Sequence, residues 1–311
     1  MLRQEAVTQT LELPVAVVRP AGQGLLAQAL AYLALTKPRI VVLLLVTTLP
    51  AMILAGGGMP SVWLAFLTLL GGALSAAGAN AINCYIDRDI DGLMARTKGR
   101  PLPAGSVEPE RALLFGILLG VISFQVLALG VNLASAFLAL GAMAFYVFVY
   151  TMWLKRSTDQ NIVIGGAAGA MPPLVGWAAV TGGLDWSAAI LFGIIFLWTP
   201  PHFWALALRY RGDYAKAGVP MMPVVRGEAE TNRQSMLYTL ALVACSLALI
   251  PIASMGPVYS TTAAVLGAGF IALSFRLWRD PRPSASKAVF TYSLGYLALV
   301  FVAIGVDPFV L

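Results

Sequence analysis

Asn83, Asp87 and Asp91 stand at four-residue intervals in ANAINCYIDRDIDGLMARTKGRPLP, residues 79–103. A helix turns about 100° per residue, so each four-residue step drifts by only about 40° and the three side chains share one face. Asp89 points roughly the opposite way and reads as a solvated acid paired with a neighbouring base. Three oxygen-bearing groups on one face suit a hard divalent cation such as Mg²⁺. Lys98 and Arg100 follow at once, and such cations hold phosphate. The chemistry these types permit is a metal-diphosphate site.

A second group lies in HFWALALRYRGDYAKAGVPMMPVV, residues 202–225. Asp213 is the one acid there before Glu228, and it is expected to face the first cluster as an opposing jaw. Arg209, Arg211 and Lys216 surround it, either as phosphate contacts or as ordinary basic residues of a membrane-flanking loop. Lys155 and Arg156, in YTMWLKRSTDQN at 150–161, allow the same two readings. His202 is the sole histidine. It follows Pro200-Pro201 and precedes Phe203 and Trp204, so it is either a hydrogen-bonded core residue or a group that orients an acceptor.

Membrane helices must position these groups. The 311 residues are 59% hydrophobic and only 11% charged, about half the charged share of a soluble domain. Nine segments are long and apolar enough to span a bilayer, at roughly 30–55, 61–86, 110–129, 132–152, 161–180, 187–208, 235–255, 258–278 and 287–306. With nine spans, all 20 Lys and Arg fall on one side, together with every acid except Asp185 and Asp307. The positive-inside rule makes that side cytoplasmic and the N-terminus internal. The basic balance therefore reflects topology and not nucleic-acid binding. Residues 1–28 read as a cytoplasmic, disordered tail without signal-peptide character, and 29–311 as one transmembrane domain. The two cysteines, Cys84 and Cys245, support neither a disulfide nor a thiolate metal site.

The two longest loops follow the second and sixth spans, which suggests a four-helix repeat in layout. Pro172-Pro173 and Pro200-Pro201 are expected to interrupt the fifth and sixth spans. The run Gly165–Ala170 reads first as a close-packing surface and second as an approach to substrate.

The first motif resembles that of the UbiA-type intramembrane aromatic prenyltransferases: Asn83, Asp87 and Asp91, then TKGRPLP. Further blocks carry the likeness through most of the chain. They are LTKPRIVVLLLVTTLPAM at 35–52, RPLPAG at 100–105, YTMWLKRSTDQNIVIGGAAGAMPPLVGWAAVTG at 150–182 and WTPPHFWALALRYRGDYAKAGVPMMPVV at 198–225. The last block is similar to the haem-modifying branch of that family. One departure matters: many members carry a second Asp four residues into the second motif, and here that position is Ala217.

The resemblance implies an all-α polytopic membrane protein, nine transmembrane helices around a central cavity. It implies transfer of a farnesyl group from farnesyl diphosphate to a vinyl group of protoheme IX, giving haem O. Asn83, Asp87, Asp91 and Asp213 would hold Mg²⁺. Lys98 and Arg100, with Lys155 and Arg209, would stabilise the leaving diphosphate, and His202 and Tyr210 would lie on the substrate side, with His202 as a haem-iron ligand or an acceptor-orienting group. The setting would be a bacterial inner membrane, with haem A synthase as a partner. The rivals are a sister enzyme acting on a quinone precursor or a chlorophyllide, a secondary transporter, and a haem-binding assembly factor without chemistry. The transporter places its polar site at the bilayer midplane. Here the middles of the spans carry no Asp, Glu, Lys or Arg.

Overall fold

Prolines and capping side chains set the helix boundaries of this computed structural model, which describes residues 24–310. Most of the expected tail, residues 1–23, lies outside the described residues. Helix α1 (Leu25–Thr36) stops at Lys37, whose backbone is left-handed, and Pro38 opens α2 (Pro38–Gly56). Proline suits a first helical position because it has no N–H to lose. The chain expected to form one span over 30–55 is therefore two helices, and the membrane-length one begins at Pro38.

Ser61 caps α3 (Val62–Ile86) through the Leu64 N–H. A short helix α4 (Arg88–Asp91) follows directly. Then come α5 (Pro109–Gly130) and α6 (Leu133–Ala144), the latter capped by Asn132. Residues 145–154 are π-helical and lead into α7 (Lys155–Ser157). Pro172-Pro173 divides the fifth span into α8 (Asn161–Gly169) and α9 (Pro172–Thr181). Asp185 caps α10 (Trp186–Arg209), which runs unbroken past Pro200 and Pro201 instead of being interrupted there. The loop beyond carries α11 (Arg211–Lys216) and α12 (Met222–Val225). The chain ends with α13 (Gly227–Ile252), α14 (Pro257–Arg279) and α15 (Pro283–Val306). The seventh span starts about a turn or two before the expected 235, because GEAETNRQS stays helical as it leaves the apolar region.

Nine helices among the described residues are long and apolar enough to cross a membrane, as expected. Lipid gives apolar side chains no reason to leave it, so close packing and polar contacts must hold such helices together. The α3–α5 pair shows how. A Cβ on Gly78 would lie 2.7 Å from the Gly116 carbonyl oxygen, so only glycine allows the two backbones to meet. α10, α13, α14 and α15 form a ring around buried Tyr259, Phe270, Tyr296 and Phe301, and α15 returns to pack on α2. Asp307, an acid on the side that carries no Lys or Arg, accepts the Tyr259 N–H at 2.9 Å and ties α14 to the end of α15.

Candidate active site

The helical path continues through the joint between α3 and α4. Asp87 N–H donates to the Asn83 carbonyl at 2.9 Å, and Asp91 N–H to the Asp87 carbonyl at 2.8 Å. The three polar side chains therefore stay on one face, and all three are buried. Asn83 Nδ2 donates to Asp87 Oδ2 at 2.7 Å and to Thr151 Oγ at 3.1 Å. Asn83 Oδ1 accepts from Lys37 Nζ at 2.8 Å. Lys155 Nζ donates to Asp87 Oδ2, and Arg156 stands 3.8 Å from Asp87 Oδ1. Arg100 donates to Asp91 Oδ2 at 2.7 Å.

Lys37 and Thr151 are residues of this cluster that spacing did not single out, while Arg156, a candidate phosphate contact alongside Lys155, pairs with Asp89 and stands near Asp87. Lys37 reaches it because the α1–α2 break turns its side chain inward, and Asn80 steadies that break by donating to the Thr36 carbonyl at 3.1 Å. The available signal was a Lys-Pro-Arg triplet set into an otherwise apolar run. Thr151 and Lys155 are set by the π-helical segment, where Thr151 Oγ bonds back to the Tyr146 carbonyl five residues earlier. Such segments shift side chains relative to a regular helix and recur at functional sites.

Charge is concentrated here away from water. Burial lowers Lys37 to about 8, well under an ordinary lysine. Burial alone would lower Arg100 too, but the Asp91 carboxylate beside it raises it instead. Asp89 lies outside the cluster, exposed, and the paired hydrogen bonds from Arg156 at 2.7 and 2.8 Å hold it down to about 2.

Two buried carboxylate oxygens, Asp87 Oδ1 and Asp91 Oδ1, have no hydrogen-bond partner. An unpartnered buried anionic oxygen is costly, and a bound cation would remove that cost. Among the described residues no three His, Cys, Asp or Glu side chains come together to hold a metal, so Asp213 does not join the two aspartates. Mg²⁺ fits this arrangement, since it is commonly held by one or two carboxylates and completes its shell with water and phosphate oxygens. The amide oxygen of Asn83 is taken by Lys37.

The loop that carries Asp213 does pack against the first motif. Tyr214 of α11 is buried with Ile90 and Met94, and Arg96 lies 5.6 Å over the Tyr210 ring. Asp213 itself is half-buried. Lys98 is exposed on the loop after α4.

An apolar cavity of about 260 Å³ lies between α2, α3, α6, the π-helical segment, α8, α9 and α10. Asn80, one turn before Asn83, and the rings of Tyr146 and Tyr150 line it, with Leu44, Met143, Ile162 and Phe203. The glycine run packs closely at Gly165 and lines the cavity at Gly169. A Cβ on Gly165 would strike the Tyr150 ring at 2.2 Å, whereas Gly169 faces open space in the cavity wall.

His202 lies elsewhere. It stacks between Trp198 and Phe290, at centroid distances of 4.1 and 4.9 Å, and its Nδ1 shares a 2.7 Å hydrogen bond with Ser293 Oγ. It thus occupies the α10–α15 seam, while the next residue, Phe203, lines the cavity. Arg209 follows it two turns later and borders a separate cavity. Neither residue contacts the acidic cluster, because 100° per residue turns them away from the face that carries Thr199 and Phe203.

Residues 44–301 match the UbiA prenyltransferase family. A Gloeobacter violaceus protein named protoheme IX farnesyltransferase is 58% identical over 277 residues, covering 89% of this chain and 91% of that protein. One named protoheme IX farnesyltransferase 1, from Saccharopolyspora erythraea, is 56% identical over 288 residues, 92% of this chain and 91% of that one. Among solved structures, a digeranylgeranylglyceryl phosphate synthase superposes with a TM-score of 0.76 at 20% identity, covering 91% of this chain and 99% of its own. An Archaeoglobus fulgidus UbiA homolog bound to GPP and Mg²⁺ superposes at 0.62, also at 20% identity, over 88% of this chain and 99% of its own. At such identity the structural likeness speaks to fold alone. With most of its length matched by the family and relatives above half identity, the chain belongs to the UbiA prenyltransferases.

Proposed function

We propose that this protein transfers the farnesyl group of farnesyl diphosphate to a vinyl group of protoheme IX, releasing diphosphate and giving haem O. The observation that carries the reading is the pair of buried aspartates with unpartnered oxygens, ringed by Lys37, Lys155 and Arg100, beside an apolar cavity. The relatives' names supply the acceptor.

In this reading the farnesyl tail lies in the cavity and its diphosphate meets the basic ring. Asp87 and Asp91 would hold Mg²⁺, while Asp213 stays on the loop that packs against them. When bound, Mg²⁺ neutralises diphosphate oxygens and stabilises the leaving charge. Lys37, Lys155 and Arg100 add fixed positive charge where the leaving group gains negative charge, and Lys98 supplies more from the loop. The C1–O bond of farnesyl diphosphate breaks and its electron pair leaves with diphosphate. The Tyr146 and Tyr150 rings present electron-rich faces to the allylic cation. The vinyl terminal carbon bonds to C1, the positive charge moves to the carbon next to the porphyrin, and water adds there and releases a proton. The apolar lining keeps water from quenching the first cation.

The basic ends of the spans would face the cytoplasm of a bacterial inner membrane by the positive-inside rule, with the N-terminus inside. Haem A synthase would consume the product. Labelled farnesyl diphosphate offered with either haem or hydroxybenzoate separates the acceptors: label is expected in porphyrin, and label in the benzoate product alone would overturn the haem assignment.

A further inference from the structure

The ring of α10, α13, α14 and α15 opens at its basic end into a second cavity, of about 310 Å³. It lies around α10 from the first cavity, on the side that faces α15. Arg209, Arg282, Glu228, Asn232 and Ser286 border it, over a floor that includes Leu277.

The polar groups there are mismatched in a specific way. Arg209 makes no ion pair among the described residues. Arg282 gives its Nε to Asp280 at 2.8 Å, which leaves its terminal nitrogens for another acceptor. Glu228 is offset by Arg211 at 3.6 Å. Net positive charge therefore remains. Asn232 is only 1% exposed, and its Oδ1 has no hydrogen-bond partner. Ser286 Oγ spends its proton on the Ala205 carbonyl at 2.6 Å, so toward the cavity it can only accept. One guanidinium lacking an anion, that of Arg209, and the free terminal nitrogens of Arg282 thus stand beside two acceptors lacking a donor.

An aprotic anion such as sulfate would satisfy the arginines and leave Asn232 Oδ1 orphaned. A neutral polyol would do the reverse. A phosphate ester that also carries free hydroxyls satisfies both. We propose that this cavity binds a hydroxylated phosphate ester of the glycerophosphate class, with its phosphate on Arg209 and Arg282 and a hydroxyl donating to Asn232 Oδ1. Two helix N-termini, of α13 and α15, open at the same mouth and favour the anion. Both a phosphatidylglycerol headgroup and a soluble glycerol phosphate have this chemistry. The inference is independent of the prenyl-transfer reading, since it uses neither the acidic cluster nor the first cavity.

Native mass spectrometry of the full chain tests it with three lipids: phosphatidylglycerol, phosphatidylethanol (the same charge without hydroxyls) and phosphatidylcholine. Phosphatidylglycerol is expected to be retained best. Arg209→Gln and Arg282→Gln, both at exposed positions, should each weaken it about 10-fold or more, the size of one charge-assisted hydrogen bond. Asn232→Val should erase the preference over phosphatidylethanol, with an unchanged melting curve in detergent showing that it folds. Displacement of the lipid by equimolar glycerol 1-phosphate assigns the site to the soluble ester, and resistance assigns it to the membrane lipid. Equal retention of all three lipids, or of phosphatidylglycerol by both arginine variants, overturns the proposal.

Discussion

Lys37 donates to Asn83 Oδ1 at 2.8 Å and so ties the break between α1 and α2 to the first member of the acidic comb. The contact depends on a left-handed backbone at Lys37, with φ at 52°, at the junction where Pro38 opens the next helix. A lysine held there places a cation beside the oxygens that the leaving diphosphate would use. Lys37→Met should raise KM for farnesyl diphosphate about 10- to 100-fold, from loss of a charged hydrogen bond of about 1.5–3 kcal/mol. Steady-state kinetics in detergent checks this, and an unchanged KM removes Lys37 from the diphosphate site.

The same residue predicts a pH dependence. A lysine is cationic below its pKa and neutral above it. Lys37 is lowered to about 8 by burial, so its charge is complete well below pH 8 and lost as pH rises through that value. Turnover at low farnesyl diphosphate should therefore fall above about pH 8. Arginine stays charged there, so Lys37→Arg should flatten the fall. Identical alkaline limbs in both proteins would assign the titration to another group.

Asp87 and Lys155 form a buried ion pair, and removing one partner strands the other. Asp87→Ala should cost about 3–5 kcal/mol of stability. Asp87→Ala with Lys155→Met should recover much of that loss and remain inactive. Thermal melts and product assays on the three variants check the split. Activity in the double variant would show that the carboxylate is structural.

Gly169 lines the first cavity with open space beyond its missing Cβ. Gly169→Met should shorten the room for the isoprenoid tail and shift preference from farnesyl toward geranyl diphosphate. Competition between the two donors measures the shift, and an unaltered ratio would move the tail out of this cavity.

The all-α architecture and its nine spans were legible because apolar length and basic loops are strong one-dimensional signals. The sharing of one face by Asn83, Asp87 and Asp91 was legible too, because it depends on local helical geometry. Contacts between distant segments were not. Lys37 lies 46 residues before Asn83, inside the segment expected to span at 30–55. Lys155 was expected near the diphosphate, but its pairing with Asp87 depends on a π-helical segment that no composition marks. His202 and Arg209 sit on the right helix but on a face turned toward α15, and a motif read as a string does not say which neighbour each face meets. The proline pair in α10 signalled a break, yet the helix continues past it.

The central claim is farnesyl transfer to haem at the Asp87–Asp91 cluster. Its most direct test is a mass spectrum of the porphyrin recovered after the purified protein meets protoheme IX, farnesyl diphosphate and Mg²⁺, run beside Asp87→Asn. The account predicts a hydroxyethylfarnesyl porphyrin from the wild type and unmodified protoheme from the variant. Unmodified protoheme from both, or the same product from both, would contradict it.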